Sequence, residues 1–368
     1  MPRRSQRRIR YAVVGLGHIA QMAVLPAFAH ARRNSELAAL VSGDAEKLEE
    51  LGRMYGVEVR GSYEELERCL NGCDAVYIAT PNTEHAEYAI RAAHAGVHVL
   101  CEKPLATTDA ECEQIIRACR EAGVRIMTAY RLHFEPLTLE VLELVRKGRI
   151  GEPRIFSSEF SMIAKPGNIR TRPETGGGTL YDLGVYCINA ARMVFQAEPN
   201  QVYAYSIDGA RSGFPDVDDT TAALLRFDND RLAMFTSSFG AADVSSYRVI
   251  GTEGDIHVQP AYEYAEALEY RLTCDGKTTR KRGRKVDQFA AELLYFSDCI
   301  LKDREPEPSA EEGAWDLRII DALYESARTG EPISLRPFGP EPGPDAGQAM
   351  ARPPVRKPRT IKTETPHE

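Results

Sequence analysis

The chain has 368 residues, more than one ordinary core accommodates, and this predicts two domains. With 43% apolar and 27% charged residues it is globular in composition, and no apolar run is long enough to span a bilayer. A formal charge of −8 argues against a nucleic-acid partner, and the basic start MPRRSQRRIR runs into YAVVGLG without a secretory cleavage pattern, so a cytoplasmic protein is expected.

After a basic arm (residues 1–8), the runs Ile9–Val14, Leu37–Ser42, Ala75–Thr80, Val97–Cys101 and Arg125–Ala129 alternate with helical stretches such as TEHAEYAIRAAHAG. Short apolar strands alternating with helices predict a parallel sheet covered on both faces, a doubly wound α/β Rossmann domain over residues 9–130. From 131 to 335 the pattern changes to strand-like segments: RIFSSEFSM, QVYAYSID, TTAALLRF, LAMFTSSF, YRVIGT and GDIHVQ. Successive strands with short turns predict an α+β domain built on a large, mostly antiparallel open-faced sheet. A late helix, AWDLRIIDALYESARTG, ends in glycine, and residues 336–368, rich in Pro, Gly and charge, are expected to be a disordered tail.

The eight cysteines (Cys69, Cys73, Cys101, Cys112, Cys119, Cys187, Cys274 and Cys299) form no C-x-x-C sets. That spacing argues against a disulfide framework or a zinc site, and buried reduced thiols are expected. No metal is implied.

GLGHIA, residues 15–20, follows the first strand and opens a helix. Gly15 permits the tight turn, Gly17 lets a pyrophosphate approach the backbone beside His18 and Ile19, and Ala20 allows close helix–strand packing. The second strand ends in LVSGDAEK. An NAD site usually has a carboxylate there, whereas a 2′-phosphate needs hydroxyl and cationic donors. Ser42, Gly43 and Lys47 therefore favour NADP, while Asp44 is the competing feature, turned either toward the ribose or onto the next helix as its N-cap.

Thr80, Asn82 and His85 follow the next strand and are expected where the backbone approaches the nicotinamide half; turn formation and capping are the alternative, preferred for His85. CEKPLATT places Glu102, Lys103 and Pro104 at the carboxyl edge of the sheet, where a lysine donates to a substrate oxygen. Arg131 in YRLHFEPL is expected to touch cofactor or substrate, and His133 is equally a structural residue. GGGTLYDLGVYCIN, residues 176–189, has an acid and a phenol in an otherwise apolar helix, with Asp182 and Tyr186 four apart and so on one face.

GLGHIA, PNTEHAEYA, CEKPLATT, YRLHFEPL and GGGTLYDLGVYCIN together resemble the Gfo/Idh/MocA oxidoreductases, up to about Leu335 and including the late pattern from Trp315 to Gly330. Within that family the likeness is greatest to the aldose oxidoreductase branch of glucose-fructose oxidoreductase. The resemblance implies that Lys103 is catalytic, that Asp182 hydrogen-bonds the sugar, and that Tyr186 stands where most members have a histidine acid/base, as in the glucose-fructose and dihydrodiol branches. Arg170 or Arg172, before the glycine run, is implied as a substrate contact. A homodimer or homotetramer through the antiparallel sheet is implied as well.

The implied activity is NADP-dependent hydride transfer at C1 of an aldose, Tyr186 taking the hydroxyl proton and the Lys103 ammonium favouring the phenolate. A free phenol, with a pKa of about 10, is a poor base at neutral pH. Cofactor use is either exchange, as in a simple sugar or dihydrodiol dehydrogenase, or recycling of bound NADP by reducing a second sugar. A non-catalytic sensor of the same fold is the rival class, but a sensor has no need of Lys103, Asp182 and Tyr186 together. The family branch carries a longer N-terminal segment over its cofactor; here only Arg7 or Arg8 is a candidate for that role.

Overall fold

Short apolar runs of the first third lie side by side in one all-parallel sheet. In the computed structural model, which describes residues 7–336 and 343–365, they are β1 (Ile9–Val14), β2 (Ser35–Val41), β3 (Val59–Gly61), β4 (Ala75–Ile78), β5 (His98–Glu102) and β6 (Ile126–Ala129). Their order, β3-β2-β1-β4-β5-β6, reverses direction between β1 and β4, so the carboxyl ends of those two strands form a topological switch point. Every residue of β4 is buried, and so are five of the six of β1, as strands covered on both faces require. β3, at three residues, is too short to carry a readable period.

The chain divides into two units. The first holds residues up to Arg131 and takes back two later segments, Val286–Ala314 and Met350–Thr365. This departs from the expected assignment of 131–335 to the second domain. The returning helix Gln288–Leu301 is anchored on the sheet. The Asn34 amide donates to the Leu294 carbonyl at 2.8 Å, and the Ser297 hydroxyl meets Ser35 Oγ at 2.8 Å and the Tyr11 phenol at 2.9 Å. Apolar almost all round, it carries no one-sided pattern to reveal which sheet it covers.

The second unit centres on a nine-stranded sheet: β7 (Pro153–Ile163), β8 (Gln201–Gly209), β9 (Phe214–Phe227), β10 (Arg231–Ser238), β11 (Gly240–Gly251), β12 (Gly254–Val258), β13 (Glu269–Cys274), β14 (Lys277–Arg282) and β15 (Ile333–Ser334). The order is β14-β13-β12-β11-β7-β10-β9-β8-β15, antiparallel at each described pairing except β7 with β10. β14 reads KTTRKR and is exposed on both faces, which is why no apolar alternation marks it. Ile155 faces Leu232 across the β7–β10 pair and Leu224 faces Met234 across β9–β10; all four are exposed.

Residues 343–365, expected to be disordered, are held by specific contacts. Ile361 is buried, and its backbone N–H and C=O both bond the Gln21 side chain. The reason is partnership: a segment too polar to fold alone is ordered by hydrogen bonds to a formed domain. The rest of the expected tail, 337–342 and 366–368, and residues 1–6 of the arm lie outside the described residues. Arg7 pairs with Asp74 at 2.7 Å and Arg8 with Glu36, at the amino-terminal ends of β4 and β2. They are therefore at the wrong edge of the sheet to reach an adenosine phosphate. None of the eight cysteines forms a disulfide, and six are buried.

Candidate active site

The dinucleotide half is built on the carboxyl edge of the parallel sheet. Gly15 has φ 90°, and a Cβ there would lie 2.6 Å from the Ala79 carbonyl group, so glycine is required where the first loop crosses the end of β4. Gly17 has open space on its Cβ side, and Ala20 is fully buried against the sheet. His18 and Ile19 lead into a π-helical turn, Ala20–Val24. Thr80, at the end of β4, has a buried hydroxyl with no hydrogen-bond partner among the described residues. A required glycine, an open one, and an unsatisfied hydroxyl at the switch point fit a dinucleotide laid across this edge.

At the end of β2, Ser42 is buried and its hydroxyl accepts from the Asp44 N–H at 3.2 Å. Asp44 is the N-cap of the helix Ala45–Tyr55: one carboxylate oxygen accepts from the Glu46 and Lys47 N–H groups at 2.9 and 3.1 Å. The capping alternative is thus the observed one. A residue that sequence reasoning missed is Tyr63, whose ring lies 3.3 Å from where a Gly43 Cβ would sit. It stacks on Tyr88 at 5.1 Å, and burial, reinforced by Glu84, pushes its phenol up to about 12. No local motif marks it, because it arrives from the short 3-10 turn after β3.

His85, placed by the sequence among cofactor contacts, is buried with one ring nitrogen 2.8 Å from the Pro104 carbonyl and the other 3.1 Å from the Thr80 carbonyl. The ring thus lies between carbonyls of the β4 and β5 loops, while the His85 backbone N–H caps the short turn Asn82–Glu84, in line with the turn-and-capping role preferred for it. Burial lowers its pKa despite those two carbonyls. Asn82 begins the 3-10 turn on the same loop.

Lys103 follows β5 and its bond to Pro104 is cis. Beside it the Glu102 carboxylate accepts from the Tyr77 phenol at 2.8 Å, and burial raises its pKa. Arg131 lies in the same unit. It is buried, donates to Gln288, and lies close enough to Glu102 and Glu292 for its charge to oppose theirs.

The remaining candidate residues lie in the second unit. Gly178 has φ 124°, and a Cβ there would meet Asp218 Oδ1 and the Tyr324 hydroxyl at 2.6 Å. Gly177 and Gly178 donate to the Arg172 and Arg170 carbonyls at 3.0 and 2.9 Å. The glycine run thus packs closely on its own loop 168–175 and on Asp218 and Tyr324. Asp218, buried on β9, accepts from Thr179 N–H at 3.1 Å and from Tyr324 at 2.9 Å, fixing the start of the helix.

That helix opens with a π-turn, Leu180–Gly184, before the α-helix Val185–Phe195. A turn closed by i→i+5 bonds still leaves residues four apart on about the same side, and such turns recur at functional sites. Asp182 lies within it and Tyr186 in the α-helix just after it; both are half-buried, whereas Cys187 is fully buried. Tyr181 packs on Tyr324. Arg170 Nε donates to Asp182 Oδ2 at 2.7 Å, Arg172 Nε is buried with no partner among the described residues, and the Tyr186 ring rests on Phe160 and Tyr262. His133 is buried against Asn189 at 3.0 Å, which is a structural role.

Residues 9–130 match the profile of an oxidoreductase family with an NAD-binding Rossmann fold, and residues 138–257 match the Gfo/Idh/MocA C-terminal domain. The chain belongs to the Gfo/Idh/MocA oxidoreductase family. Within it, the chain is 33% identical to a D-xylose 1-dehydrogenase (NADP(+)) of Haloferax volcanii, over 88% of this chain and 99% of that one. It is similar to the crystal structure of an aldose-aldose oxidoreductase from Caulobacter crescentus complexed with glycerol, at TM-score 0.86 and 37% identity, covering 89% of this chain and 100% of that one. A 3-ketoreductase from Actinomadura kijaniata in complex with NADP and TDP-benzene matches at TM-score 0.79 and 29% identity, over 87% and 98% of the two chains. Among the described residues of this family member no helix is long and apolar enough to cross a membrane.

Proposed function

We propose that the chain is an NADP-dependent aldose oxidoreductase that moves a hydride between C1 of a sugar and the nicotinamide, and recycles its NADP by reducing a second sugar. The observation that carries the reading is the Arg170–Asp182 pair set four residues before Tyr186, in a chain that also has Lys103 at the end of β5. The likeness to an aldose-aldose oxidoreductase and to an NADP-dependent xylose dehydrogenase supports both the sugar and the cofactor.

Bound NADP supplies the hydride acceptor. Ser42, Gly43, Lys47 and Tyr63 would hold its adenosine end, Gly15 to Ile19 its pyrophosphate, and Thr80 and Asn82 its nicotinamide half. The role assigned to Tyr186 is to take the C1 hydroxyl proton onto its phenolate oxygen as hydride leaves C1, and the role assigned to Lys103 is to donate from its ammonium to a substrate oxygen. Asp182, oriented by Arg170, accepts from a neighbouring sugar hydroxyl, and Arg172 Nε donates to another. Acid–base help of this kind is worth about 10²- to 10⁴-fold, the remainder coming from positioning. The apolar patch of Ile155, Leu224, Leu232 and Met234 supports association of two copies through the nine-stranded sheet.

The test is to purify the protein without added cofactor and record the near-ultraviolet absorbance of reduced nicotinamide after adding one aldose, then a second. A rise that the second sugar reverses is expected. A protein that needs excess NADP for each turnover is a simple dehydrogenase. Lys103→Ala and Tyr186→Phe proteins with undiminished turnover would overturn the reading altogether.

A further inference from the structure

The segment 350–365 belongs to the nucleotide-binding unit and is fastened at two points of its ligand edge. The first is Gln21, almost fully buried. Its side-chain N–H₂ donates to the Leu16 carbonyl at 2.9 Å and the Ile361 carbonyl at 3.0 Å, while its oxygen accepts from the Ile361 N–H at 2.7 Å. Leu16 lies between Gly15 and Gly17, so one glutamine ties the segment to the phosphate loop. The second point is the end of β2. Lys362 Nζ is 2.7 Å from Glu46 Oε2 and 3.6 Å from Asp44 Oδ2.

These are the two places where a Rossmann dinucleotide puts its pyrophosphate and its adenosine ribose. The segment brings Arg352, Arg356, Lys357, Arg359 and Lys362 against a single acid, Glu364. Lys362 is held in a left-handed conformation, φ 46°, uncommon for a residue with a side chain, so its position is set by the contacts on either side. Its head remains half-exposed and an ammonium has three donors, which leaves capacity for a further anion. The Caulobacter structure is covered completely, yet about a tenth of this chain has no counterpart in it.

A carboxylate at the end of β2 suits an unphosphorylated ribose and repels a 2′-phosphate. Here Asp44 is retained, but one oxygen is spent on the helix cap and Lys362 faces the other. We propose that residues 350–365 form a strap that completes the adenosine end of the cofactor site, with Lys362 as the residue that makes it accept a 2′-phosphate beside Asp44. The proposal deepens the reading of NADP as cofactor and rests on it.

Calorimetric titration of the full chain, without sugar, tests it with NADP⁺, NAD⁺ and 2′,5′-ADP on wild type, Lys362→Ala and Lys362→Glu. Loss of one charge-assisted contact is expected to weaken NADP⁺ and 2′,5′-ADP about tenfold in Lys362→Ala, and more in Lys362→Glu, with NAD⁺ changed less than about twofold. Lys362 is exposed enough that both variants should fold, which thermal unfolding checks. Equal weakening of NADP⁺ and NAD⁺, or no change in either, overturns the role of Lys362. A wild type that binds NAD⁺ as tightly as NADP⁺ instead overturns the cofactor reading beneath it.

Discussion

Arg170 and Asp182 form an ion pair, 2.7 Å from Nε to Oδ2, with each side chain about one-fifth exposed. The arginine comes from the loop before the glycine run and the aspartate from the π-turn after it. The pair therefore clamps the two arms of one hairpin-like excursion and aims the carboxylate. Both had been expected to contact substrate independently; the pairing makes one the support of the other.

Arg170→Ala should accordingly act through Asp182. Steady-state kinetics on the preferred aldose should show KM rising about tenfold with a smaller loss in kcat, whereas Asp182→Asn should raise KM and lower kcat together. A KM unchanged in Arg170→Ala would refute the positioning role.

Gly178→Ala forces a methyl into the space of Asp218 Oδ1 and the Tyr324 hydroxyl from a backbone angle that alanine avoids. A destabilisation of about 2 kcal/mol or more is expected in urea unfolding, with the second unit affected. Gly17→Ala, where nothing lies within 4 Å, should leave stability nearly untouched and instead weaken dinucleotide binding.

Arg192 joins Asp316 at 2.7 Å and Glu198 at 2.6 Å in a nearly water-free cluster of the second unit. Removing the arginine strands two buried carboxylates, so Arg192→Ala should cost about 3–5 kcal/mol. Arg192→Ala combined with Asp316→Asn should recover part of that loss, measured as a double-mutant cycle.

Glu292 is fully buried, and burial with the nearby Glu102 charge holds its carboxyl well above the usual 4.5. The folded protein keeps a proton that the unfolded chain releases. Its contribution to stability is therefore full below about pH 4.5 and is lost as pH rises toward the folded value, by roughly 1 kcal/mol per pH unit. Glu292→Gln should flatten that decline, so the variant gains on wild type in unfolding midpoints as pH rises above about 4.5. Parallel curves would show that Glu292 does not titrate on unfolding.

What the residues alone determine is local. A glycine that must cross a neighbouring strand, an alanine under a helix, an aspartate before a helix, and the alternation of buried strands each have one cheap physical solution. β1, β4 and β5, the phosphate loop and the Asp182–Tyr186 spacing were therefore legible in the chain. Tertiary structure decided what depends on partners far away in sequence. The helix Gln288–Leu301 returns to the first sheet because Asn34, Ser35 and Tyr11 offer hydrogen bonds 258 to 286 residues upstream. The partners of His85 and Arg131, carbonyls in one case and a glutamine with nearby carboxylates in the other, are ones that only the folded chain brings near. A polar segment that no local rule could order is pinned by one glutamine, because a buried amide must find its donors and acceptors wherever the chain supplies them.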